Sequence, residues 1–262
     1  MHVSGHLNPG GQQFRGDHGG ADPRVAAALA AYLAGQGSEQ EALQALSAAR
    51  LLVPVIAVLS EAAAPAAGDK NSEMMLPKLI GHDGRPAVLA FTCTDALARW
   101  RPDARPVPAE AGRVWRAAAS DGCAVVNDVA GPVPLAVQGA RLAALAAGQP
   151  VPAPHEDPDV RAAVEAAIAG ERAIAGFSLA PGHSGHPGST GSADSTGSAD
   201  STGSADSTDR AGRADGTDLA VTLRLAAPRA DDWAQAANRV AASIAARLAI
   251  RLRRGIEVSI TR

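Results

Sequence analysis

Between Arg50 and Gly148 the chain alternates strand, turn and helix signals in close succession, which commits it to an α+β fold of locally paired strands with helices packed on them. Leu51 to Leu59 is a continuous apolar run rich in Val and Ile and predicts a buried strand. Pro54 removes one ladder donor and points to an edge or a strand start. Met74–Ile80 and Pro86–Phe91 predict two more strands, joined through Gly81-His82-Asp83-Gly84, whose Asp-Gly pair favours a hairpin. Thr94-Asp95 opens a short helix that Pro102 ends, and Ala109–Ser120 predicts another that stops before Gly122. Cys123–Asn127 and Val133–Val137 form a second predicted strand pair, and a helix from Gln138 to Ala147 closes the unit at Gly148.

The flanks differ in character. Residues 1–21 are rich in Gly, His, Gln and Asn without a hydrophobic period, which predicts a disordered tail. Asp22-Pro23 starts an Ala-rich helix, and Ser38-Glu39-Gln40-Glu41 has the spacing of a capping box ahead of Ala42, Leu43 and Leu46. These signals place a first domain at 22–149 and a Pro-rich linker at 150–154. A second domain at 155–262 reads as α-β-β-α-β. In it a long amphipathic helix spans Asp231–Arg254, with Trp233, Ala237, Val240, Ile244 and Leu248 on its apolar face. The string Ser-Thr-Gly-Ser-Ala-Asp recurs three times between Ser189 and Asp206, inside a polar stretch at about 181–218. Such residues bury too little surface to offset the entropy of ordering, so the stretch predicts an inert disordered loop between two strands. Doubling a loop costs only about 0.6 kcal/mol, so the insertion is tolerable.

Composition narrows the function. In 262 residues there are three Phe, three Trp and one Tyr, so the core is built from small and branched aliphatics. A net charge of −3 supplies no field to gather nucleic acid or an anionic membrane. Two cysteines, Cys93 and Cys123, are too few for a disulfide scaffold and lack zinc spacing, which favours a reducing cytoplasmic compartment. The most lipid-like run, Val25–Ala34, is about half the ~20 residues a bilayer requires and lacks the basic lead of a secretory signal.

Candidate chemistry is sparse. Cys93 stands between a strand end and a helix N-terminus, where a thiol can become a nucleophile for sulfur or acyl transfer; no basic cluster adjoins it in sequence. Cys123 opens an apolar strand and reads as core. His183-x-x-His186 with His2 and His6 offers metal-like spacing in segments expected to be mobile, so no metal is expected. Arg247, Arg251, Arg253 and Arg254 form a basic helix end without an aromatic platform, where cations are favoured by the helix dipole. Nucleotide-binding glycine patterns and a nucleophile elbow are missing from the sequence, and no cofactor is expected. The richest polar cluster is Asp69-Lys70-Asn71-Ser72-Glu73. If Arg85 returns across the hairpin, Lys70, Glu73, Asp83 and Arg85 share one face, which suits a docking surface for another protein; the alternative is a solvated loop with weak ion pairs.

Several strings, taken in order, resemble one family. They are Asp22-Pro23 before the first helix, Ala49-Arg50-Leu51-Leu52-Val53-Pro54-Val55, Asp69-Lys70-Asn71-Ser72-Glu73-Met74, Gly81-His82-Asp83-Gly84-Arg85, Phe91-Thr92, Ala96-Leu97-Ala98-Arg99-Trp100 and Arg105-Pro106-Val107-Pro108. Over roughly residues 22–152 the chain resembles the SseB family, particularly its actinobacterial members. The resemblance implies an SseB-type N-terminal α/β domain followed by a more variable second half. It supplies no catalytic cysteine at position 93, and the family label, enhanced serine sensitivity, describes a phenotype rather than a reaction. The leading expectation is a non-enzymatic cytoplasmic binding or adaptor protein whose partner is another protein rather than a membrane or nucleic acid. The alternative is a cysteine-dependent enzyme using Cys93.

Overall fold

The computed structural model describes residue 14 and residues 16–59, 72–81, 84–183, 217–226, 233–249 and 251–261; of residues 57–59 and 72–75 it describes the backbone alone. The Ser-Thr-Gly-Ser-Ala-Asp repeat lies outside the described residues. The chain divides into two compact units, one holding residues 1–153 and 157–159, the other 154–156 and 160–262.

The first unit begins with α1 (Pro23–Leu33), whose N-cap Asp22 accepts the Arg24 N–H. It is followed by α2 (Glu39–Ser47), where Ser38 and Glu41 complete the capping box. Caps of this kind are each worth about 1 kcal/mol. Then come β1 (Arg50–Leu59), β2 (Ser72–Met75), β3 (Lys78–Ile80), β4 (Pro86–Ala90), α3 (Thr94–Trp100), β5 (Arg105–Glu110), α4 (Ala111–Ser120), β6 (Ala124–Asn127), β7 (Leu135–Val137) and α5 (Gly139–Ala146). The strands form two ladders, in the orders β2-β1-β5 and β3-β4-β6-β7. All pairs are antiparallel except β4 with β6, so the fold is α+β.

Two strands depart from the sequence reading. The predicted strand Met74–Ile80 is two strands in two different ladders. The break falls at Leu76-Pro77, where proline has no N–H to continue pairing. The Arg105-Pro106-Val107-Pro108 string, for which no strand was expected, forms β5. It is a strand because its prolines stand opposite Leu52 and Pro54. Leu52 gives its N–H to Phe91 O at 2.7 Å and accepts from Phe91 N at 2.8 Å, so at this register β1 bonds toward β4 and away from β5. Pro106 and Pro108 therefore occupy non-bonded positions where no donor toward β1 is needed. Pro54 follows the same logic inside a central strand, not at an edge. Its missing N–H would have pointed at β4, and the pairing of β1 with β4 is the isolated Leu52–Phe91 bridge.

The alternation of side chains on these strands divides the core. Leu51, Val53, Ala90 and Val125 face α1, α2, α4 and α5, around the fully buried Trp115 and Tyr32. Leu52, Leu89 and Phe91 face the other way and are covered by Leu97 and Trp100 of α3, with the Phe91 and Trp100 rings 5.6 Å apart. A buried ion pair between Arg141 of α5 and Glu39 of α2 ties the helical layer together.

The second unit runs α6 (Pro158–Ile168), β8 (Ile174–Pro181), β9 (Leu219–Leu225), α7 (Trp233–Leu248) and β10 (Ile256–Thr261), the expected α-β-β-α-β order. Its sheet has the order β10-β9-β8, with β9 antiparallel to β8 and parallel to β10. Leu219, Val221 and Leu223 share one face and pack with Val160, Val164, Val240 and Ile244. Trp233 departs from its expected inward place and is 40% exposed at the start of α7. The helix is also shorter than expected: Arg251, Arg253 and Arg254 come after it in a turn instead of forming its basic end. There Arg254 is held by Asp218, which accepts from its backbone N–H and from Nε at 2.9 and 2.8 Å. The described ends of the long insertion meet, since Thr217 N–H donates to His183 O at 2.9 Å.

Candidate binding cleft

The near-separation of the two ladders in the first unit leaves a gap, and α4 only partly fills it. Beneath α4 lies an apolar cleft of about 140 Å³. Val53 of β1, Val88 of β4 and Val107 of β5 line it from the strands, and Val114, Ala117 and Ala118 from the helix. The small residues Ala117 and Ala118 create the room, because a larger side chain on that face of α4 would occupy the space. The lining also carries four charges arranged as two ion pairs. Lys78 Nζ is 3.4 Å from Asp121 Oδ2, and Arg113 Nε is 3.4 Å from Glu110 Oε2. All four side chains are substantially exposed, so each pair contributes less than about 1 kcal/mol and yields readily to another partner. Leu76, also in the lining, is 42% exposed, and Ile80 on the outer strand β3 is 68% exposed.

Phe14 lines this cleft and also a neighbouring hollow formed by residues 16–22 and Arg50. Residues 17–20 are anchored at several points. Asp17 takes the Arg50 guanidinium on both oxygens, with Oδ2 2.5 Å from Nε and Oδ1 3.0 Å from a terminal nitrogen. The same guanidinium donates to Gly20 O at 2.6 Å and Thr92 O at 3.0 Å. Thr94 N–H donates to Gly19 O at 2.9 Å. Gly19 is required here: its φ is +76°, and a Cβ would collide with Thr94 Cγ2. Ordered contacts therefore reach back beyond Asp22, into the segment that composition alone assigns to the tail. One arginine, placed by the first residue of β1, holds residues 17–20 against the β4–α3 turn.

Residues 25–144 match the family model described as SseB protein N-terminal domain. This part of the chain is an SseB N-terminal domain. No curated protein and no solved structure matches it.

The cleft and the arginine anchor both sit on the SseB domain, and the residues singled out from sequence fall around it unevenly. Arg85 is exposed at the end of the β3–β4 hairpin, where its carbonyl accepts Gly81 N–H at 2.9 Å. Glu73 is placed in β2 opposite Val58, with its backbone alone described. Lys70 and Asp83 lie outside the described residues, so only the hairpin end of that docking face is defined. Cys93 is half-buried and serves as the N-cap of α3, its Sγ accepting the Ala96 N–H at 3.4 Å. Cys123 is buried in the helical core. His183, in the second unit, stands 2.7 Å from Glu257 through Nδ1, whereas His2, His6 and His186 lie outside the described residues. Among the described residues no group of three His, Cys, Asp or Glu side chains is placed to hold a metal ion. No described helix is long and apolar enough to cross a membrane.

A buried carboxyl that sequence reasoning overlooked is Asp128, at the end of β6. It accepts Thr92 N–H at 2.9 Å and Thr92 Oγ1–H at 2.7 Å, and adopts φ +47°. Burial raises its pKa, against the lowering effect of the two Thr92 hydrogen bonds and of the Arg99 charge. Both carboxyl oxygens are used in fixing the turn that leads β4 into α3, so the group acts as a structural tie. The sequence signal for it was the pair Asn127-Asp128 at a strand end, where these residue types tolerate left-handed backbone.

Proposed function

We propose that the protein is a non-enzymatic binding or adaptor protein, working in the cytoplasm, whose SseB domain docks an extended segment of another protein along β3 and into the cleft beneath α4. The observation that carries this reading is the apolar cleft beneath α4, with Leu76 exposed in its lining, Ile80 exposed on the outer strand β3, and two surface ion pairs at its border. Among the described residues β3 is the outer strand of its ladder, and its outer edge offers backbone groups to an incoming strand. Arg85, at the hairpin end, contributes charge to this docking face, and Lys70, Glu73 and Asp83 are assigned to it from the sequence alone. Two free cysteines suit a reducing compartment.

The test is site-specific photo-cross-linking in cells from position 80, with a control probe at position 233 in the second unit. The reading expects a discrete protein adduct from position 80 that disappears when Leu76→Asp is introduced and is reduced by Lys70→Ala/Glu73→Ala. Identical adducts from positions 80 and 233, or adducts indifferent to Leu76→Asp, would refute it.

A further inference from the structure

An outer strand carries unpaired backbone donors and acceptors, and chains that stay separate blunt such an edge with proline, lysine or a bulge. Among the described residues three outer strands are six or more residues long: β5, β8 and β10. Two of them are blunted. β5 has Pro106 and Pro108, and β8 has a register break between Ile174 and Gly176 and ends on Pro181. β10, Ile256–Thr261, has no proline or lysine and pairs with β9 in unbroken register. Ile256 and Val258 pack on the core of the second unit, while Ile260 on the same face is 40% exposed. Glu257, Ser259 and Thr261 face the other way and are exposed.

We propose that the protein forms a twofold-symmetric dimer in which β10 pairs antiparallel with β10 of a second copy about Ser259, joining two three-stranded sheets into one of six strands. The case for a second copy is that this strand complements itself. Residues opposite each other in an antiparallel pair lie on one face. In the register centred on Ser259, Val258 meets Ile260 of the second copy, Glu257 meets Thr261, and Ser259 meets Ser259. The exposed Ile260 is thereby covered by an aliphatic side chain. The Thr261 hydroxyl donates to the Glu257 carboxylate, and no like charges meet. A shift by one residue would set the apolar side chains against the polar ones, so the alternation holds the register. Both halves of the match come from the same six residues, and a twofold axis closes the pair without leaving a further edge of this kind for a third copy. Because Leu219, Val221 and Leu223 face α6 and α7, the helices of both copies lie on the same side of the joined sheet. The dimer goes beyond the docking function proposed for the SseB domain and does not depend on it, since β10 belongs to the second unit.

The test is sedimentation equilibrium of the full chain over a concentration series, with far-UV circular dichroism recorded for each variant. Wild type is expected to fit a monomer–dimer equilibrium with nothing larger. Ser259→Lys sets two ammonium groups against each other on the axis and is expected to raise the dimer dissociation constant at least tenfold. Thr261→Glu sets a carboxylate opposite Glu257 and is expected to weaken the dimer several-fold, whereas Thr261→Lys sets an opposite charge there and is expected to hold it at least as tightly as wild type. Ser259→Cys, oxidised with copper phenanthroline, is expected to give a covalent dimer that wild type, with Cys93 and Cys123 alone, does not give. All these positions are exposed, so the variants are expected to keep the wild-type spectrum; if Ser259→Lys does not fold, the two Thr261 variants decide. A wild type that stays monomeric across the series, or assembles beyond the dimer, overturns the proposal. So does a dimer indifferent to Ser259→Lys, or one that Thr261→Lys weakens as much as Thr261→Glu does.

Discussion

Pro54 and Pro106 face each other across the β1–β5 ladder, and each turns a nitrogen without a hydrogen out of it. On β5 this leaves the outer edge without donors at positions 106 and 108, which bars another strand from adding there. Replacing Pro106 and Pro108 with valine restores those donors on an edge strand of high β-propensity. The variant is expected to self-associate as concentration rises, while wild type shows less association under the same conditions; light scattering over a concentration series reads the difference.

Gly19 cannot accept a side chain without moving Thr94, whose hydroxyl and amide both address Gly19 O. Gly19→Ala is expected to destabilise the SseB domain by about 1–2 kcal/mol, the cost of a left-handed alanine together with the clash. Adding Thr94→Ser removes the clashing methyl and restores part of the loss. Urea unfolding midpoints of the three proteins measure both effects.

Burial sets the Arg141–Glu39 pair apart from the exposed ion pairs of the same domain. Glu39→Ala leaves the Arg141 guanidinium in the core without that carboxylate and is expected to cost about 3 kcal/mol. The exposed Lys78–Asp121 pair, broken by Asp121→Ala, is expected to cost less than about 1 kcal/mol. The contrast between the two in urea titrations is the measurement.

Asp128 gives a pH signature opposite to that of a salt-bridged carboxylate. Its pKa is raised in the native state, so between the unfolded and the native values the native state binds more protons than the unfolded chain. Its contribution to stability is then largest below the ordinary carboxylate pKa and is lost as pH rises through the raised native value. Asp128→Asn removes that titration. Thermal melts at stepped pH are expected to show the wild type losing ground to the variant as pH rises from acid toward neutral, whatever their constant offset.

Local signals were legible where short-range chemistry decides. The capping box of α2, the Asp22-Pro23 start of α1, the hairpin between Ile80 and Pro86 and the α-β-β-α-β order of the second unit all arise from spacing within a few residues. Features that escaped depend on partners distant in the chain. The prolines of β5 argue against a strand until the register opposite Leu52 and Pro54 shows that their donors are not needed. Trp233 satisfies the helical period of α7 but falls in its first turn, half out of the core. The cleft leaves no trace in composition, because it is a space between three strands and a helix set by Ala117 and Ala118. Arg50 reads as the polar start of an apolar run, and only the fold shows that it reaches Asp17, Gly20 and Thr92 together.

The Leu52–Phe91 bridge has a mechanical meaning. Two backbone hydrogen bonds are a slight weld between two ladders, so the halves of the SseB domain are kept in line by interlocking side chains on either side of the seam. Trp115 and its neighbours press on one side, and Phe91 with Trp100 on the other. A body fastened in this way can widen along the joint without breaking either ladder, and the joint runs beside the room beneath α4.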